Sequence, residues 1–228
     1  SPLILGIGEN ENYISSDINA IIPHTKEFIF IEDNEIGYID KEGYHIETFD
    51  GEAISKTIQH ISWDPGQSEK NGYEHYMLKE IYEQPSVIRN ILSKYVKDNE
   101  INFKRINLSH ERLASISRFI IQACGTSWHA GMIYKYMIEK YTRILTEVDI
   151  SSEFRYRHHV SLGNEVVIGI TQSGETADTL ACIREAKSKF FTVLSFVNVE
   201  QSSIDRESDA VIHTEAGQEI GVASTKNY

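Results

Sequence analysis

The chain has 228 residues, 40% of them hydrophobic and 25% charged, a composition that can bury a core and that excludes a disordered polymer. Its 22 basic and 34 acidic side chains leave a formal charge of −12, which disfavours nucleic acid and anionic lipid as partners. No apolar run approaches the roughly 18 residues that span a bilayer, and the two cysteines, Cys124 and Cys182, have neither disulfide-framework nor metal-ligand spacing. The expectations are a cytoplasmic protein in a reducing compartment, with no membrane partner, no metal and no cofactor.

From Ser1 to about Ile61 the chain reads as strands and turns. LILGI (3–7) is apolar, FIFIED (28–33) is β-branched and aromatic, and IGYID (36–40) and YHIETF (44–49) flank a hairpin turn at Lys41-Glu42-Gly43. The stretch from Trp63 to Gly72 holds Asp64-Pro65-Gly66 and reads as a linker. Residues 76–81 are good helix formers, and Pro85 is expected to stop that helix and begin another. Ile88, Ile91, Leu92 and Tyr95 then mark one helix face of a packed connector.

After about Lys104 strands alternate with helices. Strands are expected at RFIIQAC (118–124), LTEVDI (145–150), EVVIGITQ (165–172), FTVLSFV (191–197) and DAVIHT (209–214). Helices are expected on Ala130, Ile133, Tyr134, Met137, Ile138 and Tyr141, over SSEFRYR (151–157), and on Ala177, Leu180, Ile183, Ala186 and Phe190. This alternation predicts an α/β fold with a parallel, doubly wound sheet in the flavodoxin-like order 2-1-3-4-5.

Two loops each follow a buried strand and open a helix: Cys124-Gly125-Thr126-Ser127 and Thr171-Gln172-Ser173-Gly174-Glu175-Thr176. Glycine lets a ligand approach the backbone, hydroxyls donate, and a helix N-terminus supplies unpaired N–H groups. One such loop is ordinary capping. Two, after the first and third strands of a doubly wound sheet, mark the switch point where ligands bind. No GxxxxGK[ST] is present, and Gly6-Ile7-Gly8 fails as a dinucleotide fingerprint because position 11 is Glu. The reading is a small phosphorylated molecule held without Lys or Arg.

ACGTSWHAG (123–131), SEFRYR (152–157), ITQSGETADTL (170–180), SSIDRESD (202–209) and AGQEIGVASTK (216–226) together resemble the glucosamine-6-phosphate synthase family, the isomerising glutamine–fructose-6-phosphate aminotransferases. HYMLKEIYEQP (75–85) is similar to that family's linker helix, and SPLILGIGENENYISSDINAI (1–21) to the last part of its glutaminase domain. The resemblance implies three parts. Residues 1–62 are a β-rich remnant of a class II, N-terminal-nucleophile glutamine amidotransferase domain; 63–103 are the helical linker; 104–228 are the first sugar-isomerase (SIS) lobe. It implies phosphate contacts from Ser127, Thr171, Gln172, Ser173 and Thr176, with Thr126 and the turn Val222, Ala223, Ser224 at the sugar end. Thr171 stands where Ser is usual, and the hydroxyl survives.

Glu175 and Lys226 stay open between chemistry and structure. Cys124 reads as a buried inert thiol, Arg155, Arg157 and Glu153 as structural ion pairs, His129 as a helix-surface residue, and His158-His159 as a solvated loop. The resemblance implies the conversion of fructose 6-phosphate and glutamine into glucosamine 6-phosphate and glutamate by a homo-oligomer. The family's catalytic residues match no position here, so the chain is expected to be a fragment with no catalytic residue of its own. The alternative is a non-catalytic sugar-phosphate-binding regulatory module.

Overall fold

The computed structural model describes residues 3–16, 18–40, 43–61, 70–101, 109–157, 159–161, 163–221 and 223–228. Ser1, Asp64-Pro65-Gly66, Lys41-Glu42, Lys104, His158 and Val222 lie outside the described residues. The chain divides into two compact units, residues 1–69 and 70–228.

In the first unit β1 (Leu3–Ile7) pairs antiparallel with β2 (Asn12–Ser15) and β3 (Glu27–Ile31), and β6 (Gln59–His60) extends the sheet from β3. Alternation along β1 and β3 sends Ile4, Phe28 and Phe30 to one face, against Ile18, Ile21 and Ile22 around α1 (Ile18–Ile21). Leu5, Ile29 and Ile31 go to the other face, against Ile46 of the hairpin β4 (Glu35–Ile39)–β5 (Tyr44–Thr48). The expected hairpin is present, with Ile39 opposite Tyr44. Strands β2 and β6 and helix α1 escaped the sequence reading because they are short, and NYIS is half-exposed with no clean alternation.

The second unit opens with α2 (Tyr76–Tyr95), a single helix with Pro85 inside it. The expected break at Pro85 is therefore corrected. Proline removes one helical N–H and costs about 3 kcal/mol, but tertiary bonds hold the helix on both sides. Glu80 and Gln84 bond the C-terminal loop before it, and the Tyr95 hydroxyl donates to the His213 carbonyl (2.9 Å) after it. The buried face agrees with expectation only in part. Tyr95 is buried and Ile91 half-buried, but Ile88 and Leu92 are exposed, and Lys79, Glu80 and Val87 are buried instead, because the helix meets its neighbour largely through polar groups. A two-residue β-pair, β7 (Val96–Lys97) with β8 (Glu100–Ile101), and α3 (His110–Ala114), capped by the Ser109 hydroxyl, complete the approach to the main sheet.

That sheet has five parallel strands: β9 (Arg118–Ala123), β10 (Leu145–Ile150), β11 (Glu165–Thr171), β12 (Thr192–Val197) and β13 (Ala210–His213). Their order is β10-β9-β11-β12-β13, which is the predicted 2-1-3-4-5. Every residue of β11 is buried, as its continuous apolar run predicts for a central strand. One face carries Ile121, Val166, Ile168 and Ile170 against Trp128, Tyr134 and Ile138 of α4 (Gly125–Thr142). The other carries Ile120, Val167 and Val193 against Phe154 of α5 (Ser151–Phe154), Cys182, Ile183 and Ala186 of α6 (Ala177–Ser188) and Ile204 of α7 (Ser203–Glu207). Helices thus cover both faces. Phe190, expected on α6, lies beyond its end at φ +64° and is 95% exposed. Ile133, Met137 and Tyr141 of α4 are on the helix as expected but exposed.

Candidate functional site

Strands β9 and β11 are direct neighbours, with Ala123 opposite Ile170, so the two loops that follow them emerge side by side at the C-terminal edge of the sheet. Each opens a helix of at least three turns, α4 and α6. Gly125 (φ +58°) and Gly174 (φ +68°) make the left-handed bends that turn the chain from strand to helix. At Gly174 a side chain has no room: an added Cβ would lie 1.9 Å from Ser202 Oγ and 2.4 Å from Ser202 Cβ.

Neither helix start is capped by its own N-cap side chain. Cys124 and Thr176 occupy those positions, and neither makes a side-chain cap bond. The first-turn N–H groups of both helices therefore face the same edge with no cap from that residue. The Thr176 hydroxyl instead pairs with the Thr171 hydroxyl at 3.0 Å, and Thr171 Oγ1 also accepts the Gly174 N–H at 3.3 Å. The Ser173 hydroxyl accepts the Glu175 N–H at 3.1 Å. Thr171 and Ser127 are buried, while Thr126, Gln172, Ser173 and Thr176 are half-buried at the rim. No Lys or Arg occurs in 120–134 or 166–183.

Glu175 has a structural partner: its carboxylate accepts the Ser203 N–H at 2.7 Å and caps α7. It precedes α6 rather than lying in that helix's first turn. Below the loops, Thr179 Oγ1 donates to Ser151 Oγ at 3.2 Å and reaches Cys124 Sγ at 3.9 Å. Cys124 is half-buried, and burial pushes the Cys182 thiol far above its ordinary range, so Cys182 is inert. Arg157 pairs with Asp149 (2.8 Å) and Arg155 with the Tyr156 hydroxyl (2.6 Å), rather than with Glu153. His159 is not a solvated residue. Its ring stacks on Phe154 at 4.0 Å, and burial first, then nearby Lys189 and Arg157, hold its pKa below the usual value against the pull of Asp149 and Glu147. His129 is exposed on α4, as expected.

The third expected element, the turn ending in Ala223 and Ser224, is held by two carboxylates that the sequence reading did not single out. Glu219 accepts the Thr225 and Lys226 N–H groups (2.6 and 2.9 Å), the Ser224 hydroxyl (2.9 Å) and the Asn227 amide (2.7 Å). Glu80 of α2 accepts the Ile220 and Gly221 N–H groups. Lys226 is 4% exposed at its side chain and its ammonium pairs with Glu83 at 2.7 Å. Asn198 joins this segment to the second loop: its N–H donates to the Gln172 carbonyl (3.2 Å), and its side chain bonds Ala216 N and Gly217 O. The Tyr228 ring closes the α4 face of the sheet, its hydroxyl donating to Phe196 O (3.1 Å), and burial raises its pKa.

Elsewhere, a His213 ring nitrogen and carboxylate oxygens of Glu200 and Glu215 come within 4.8 Å of one another, a spacing compatible with a metal ion. The Lys94 ammonium already pairs with Glu215 there. No helix among the described residues is long and apolar enough to cross a membrane.

The chain is 48% identical over its whole length to a glutamine–fructose-6-phosphate aminotransferase (isomerising) of Clostridium acetobutylicum, and 47% identical to that of Clostridium tetani; it spans 38% of the length of each. Among solved structures, the C-terminal domain of glucosamine-fructose-6-phosphate aminotransferase from Francisella tularensis is 45% identical. That match has a TM-score of 0.67 and covers 70% of this chain and 45% of that one. The family model described as SIS domain matches residues 112–228, just over half of the chain, and with the two loops and the 2-1-3-4-5 sheet it places this chain in the SIS domain family.

Proposed function

We propose that this chain is part of a glutamine–fructose-6-phosphate aminotransferase (isomerising) and holds the phosphorylated hexose of that reaction. In this reading residues 1–62 are the end of a glutaminase domain, 63–103 the linker and 104–228 the first sugar-isomerase lobe. The observation that carries it is the pair of adjacent helix N-termini without side-chain caps, fringed by Ser127, Thr171, Ser173 and Thr176. A phosphate dianion there would take N–H groups from both first turns and hydroxyl bonds from the rim, in the positive ends of two helix dipoles. Gln172 would add its amide. Thr126, Val222, Ala223 and Ser224 would face the sugar.

The complete protein in this reading is a cytoplasmic homo-oligomer that takes nitrogen from glutamine. The two free cysteines fit a reducing compartment. The work of this lobe is orientation. It fixes the phosphate so that the carbonyl end of the sugar is presented to groups outside this chain.

The test is calorimetric titration of the 228-residue chain with fructose 6-phosphate and glucosamine 6-phosphate, beside a Thr171→Ala/Ser173→Ala double variant. Saturable binding that the double variant loses supports the reading. Absence of binding to the parent chain overturns it.

A further inference from the structure

We propose that Glu80 is a positioning residue for the sugar end of the site, setting Ile220 and Gly221, and through them Ala223 and Ser224, against the phosphate loop from its place on α2. The inference rests on the sugar-phosphate reading above and extends it to a residue outside the lobe's own strands and loops.

Glu80 is 2% exposed on a helix whose inward face is largely polar. A buried carboxylate persists only where hydrogen bonds replace its lost water. Its hydrogen-bond donors Ile220, Gly221 and Thr225 come from one short segment. Oε1 accepts the N–H of Ile220 (2.6 Å) and of Gly221 (2.9 Å), and Oε2 accepts the Thr225 hydroxyl (3.1 Å). The approach is close enough that a Cβ on Gly221 would lie 2.5 Å from Glu80 Oε2. One helical turn further along α2, Gln84 Nε2 donates to the Thr225 carbonyl (2.5 Å) and Glu83 holds the Lys226 ammonium. Both sides of the turn are therefore fastened to one helical turn of α2.

An apolar contact would hold helix and loop together without aiming the backbone. Two consecutive N–H groups on one carboxylate oxygen fix the peptide planes of Ile220 and Gly221, which precede Ala223 and Ser224. The other end of the segment is fixed independently. Asn198, which bonds Gln172 of the phosphate loop, also bonds Ala216 and Gly217. Asn198 thus fixes the segment on the phosphate side, Glu219 ties its residues 224–227 together, and Glu80 alone fixes the Ile220 and Gly221 N–H groups. Removing Glu80 releases those two peptide groups at the sugar end and leaves the phosphate end in place.

The experiment titrates the chain and its Glu80→Ala, Glu80→Gln and Thr225→Val variants with fructose 6-phosphate and, separately, with inorganic phosphate. Loss of hydrogen bonds from a misplaced contacting segment weakens binding by about 10- to 100-fold. Glu80→Ala is expected to lose about 10- to 100-fold in affinity for fructose 6-phosphate and to change inorganic phosphate binding by less than about 3-fold. Glu80→Gln keeps an acceptor for both N–H groups and is expected to stay within about 3-fold of the parent. Hydrogen exchange at the Ile220 and Gly221 amides should quicken in Glu80→Ala and not in Glu80→Gln. If Glu80→Ala does not fold, Thr225→Val reads the same contact: it is expected to weaken fructose 6-phosphate alone, and an unchanged affinity overturns the inference. Unchanged fructose 6-phosphate affinity in a folded Glu80→Ala, or equal losses for both ligands, also overturns it while the sugar-phosphate reading stands. A parent chain that binds inorganic phosphate but no hexose phosphate overturns both.

Discussion

Replacing Thr176 by alanine separates a binding role from a capping role at one atom. Thr176 stands at the N-cap of α6, where Thr side chains commonly accept a first-turn N–H, and loss of such a cap costs about 1 kcal/mol of stability. Here the hydroxyl makes no cap bond and pairs with Thr171 Oγ1 at 3.0 Å. The folded chain loses one neutral hydrogen bond at the rim, worth about 0.5–1.5 kcal/mol. Thr171 keeps the Gly174 N–H as a partner, so no buried hydroxyl is stranded.

With phosphate bound, the deleted group is a donor to a dianion, and a hydrogen bond to a charged group is worth about 1.5–3 kcal/mol. That converts to about a 10- to 150-fold loss of affinity. The assay is calorimetry with fructose 6-phosphate beside urea unfolding of the same preparations. Affinity should fall by at least about 10-fold while stability falls by no more than about 1.5 kcal/mol. A variant that binds as tightly as the parent and unfolds about 1 kcal/mol earlier would return Thr176 to an ordinary helix cap and refute the site.

Gly174→Ala forces a Cβ to within 1.9 Å of Ser202 Oγ at φ +68°; rotating the hydroxyl leaves Ser202 Cβ at 2.4 Å, so unfolding in urea should show a loss of about 1–3 kcal/mol or more, together with lost sugar-phosphate binding. Pro85→Ala should stabilise the chain by about 1–3 kcal/mol, because it restores an N–H to the Ile81 carbonyl in a helix that continues through this position; a loss of stability on thermal melting would show that the ring itself packs usefully. His159 has its pKa held below 6.5, so its contribution is fully present above that value and is lost as the pH falls and the ring is charged; His159→Leu should flatten the acid limb of a stability-versus-pH curve below about 6.5, and an unaltered limb would assign the acid sensitivity elsewhere.

The doubly wound half of the fold was legible because parallel strands buried on both faces must be apolar along their length. VVIGI (166–170) and FII (119–121) follow that rule in the middle of the sheet, with the polar Arg118, Gln122, Glu165 and Thr171 at the strand ends. The two loops were legible for a related reason: a strand–Gly–hydroxyl–helix junction writes its backbone geometry into residue type. Hydropathy failed where contacts are made by polar groups. On α2 it pointed to Ile88 and Leu92 as the inward face, while Glu80 and Lys79 are the buried ones. Glu80 and Glu219 lie inside HYMLKEIYEQP and AGQEIGVASTK, so a signal existed. What residue type alone did not reveal is that each carboxylate accepts hydrogen bonds from the same turn.

The proposed dianion site, in a chain of charge −12, needs a reason why the surrounding field would not empty it. The reason lies in range and orientation. Exposed carboxylates act through water and are screened beyond about 8 Å at physiological salt. The N–H groups of two helix starts act at hydrogen-bond distance, in fixed directions, and require no reorganisation when the ligand arrives. Three carboxylates close to the site are also already engaged. Glu175 is turned onto Ser203 N, Glu219 onto four donors of its own loop and Glu80 onto three. Each spends its charge on backbone or hydroxyl hydrogens, and by doing so shapes the pocket's wall. Acidic residues close to an anion site are thereby converted from repulsive groups into the fasteners that hold its donors in place.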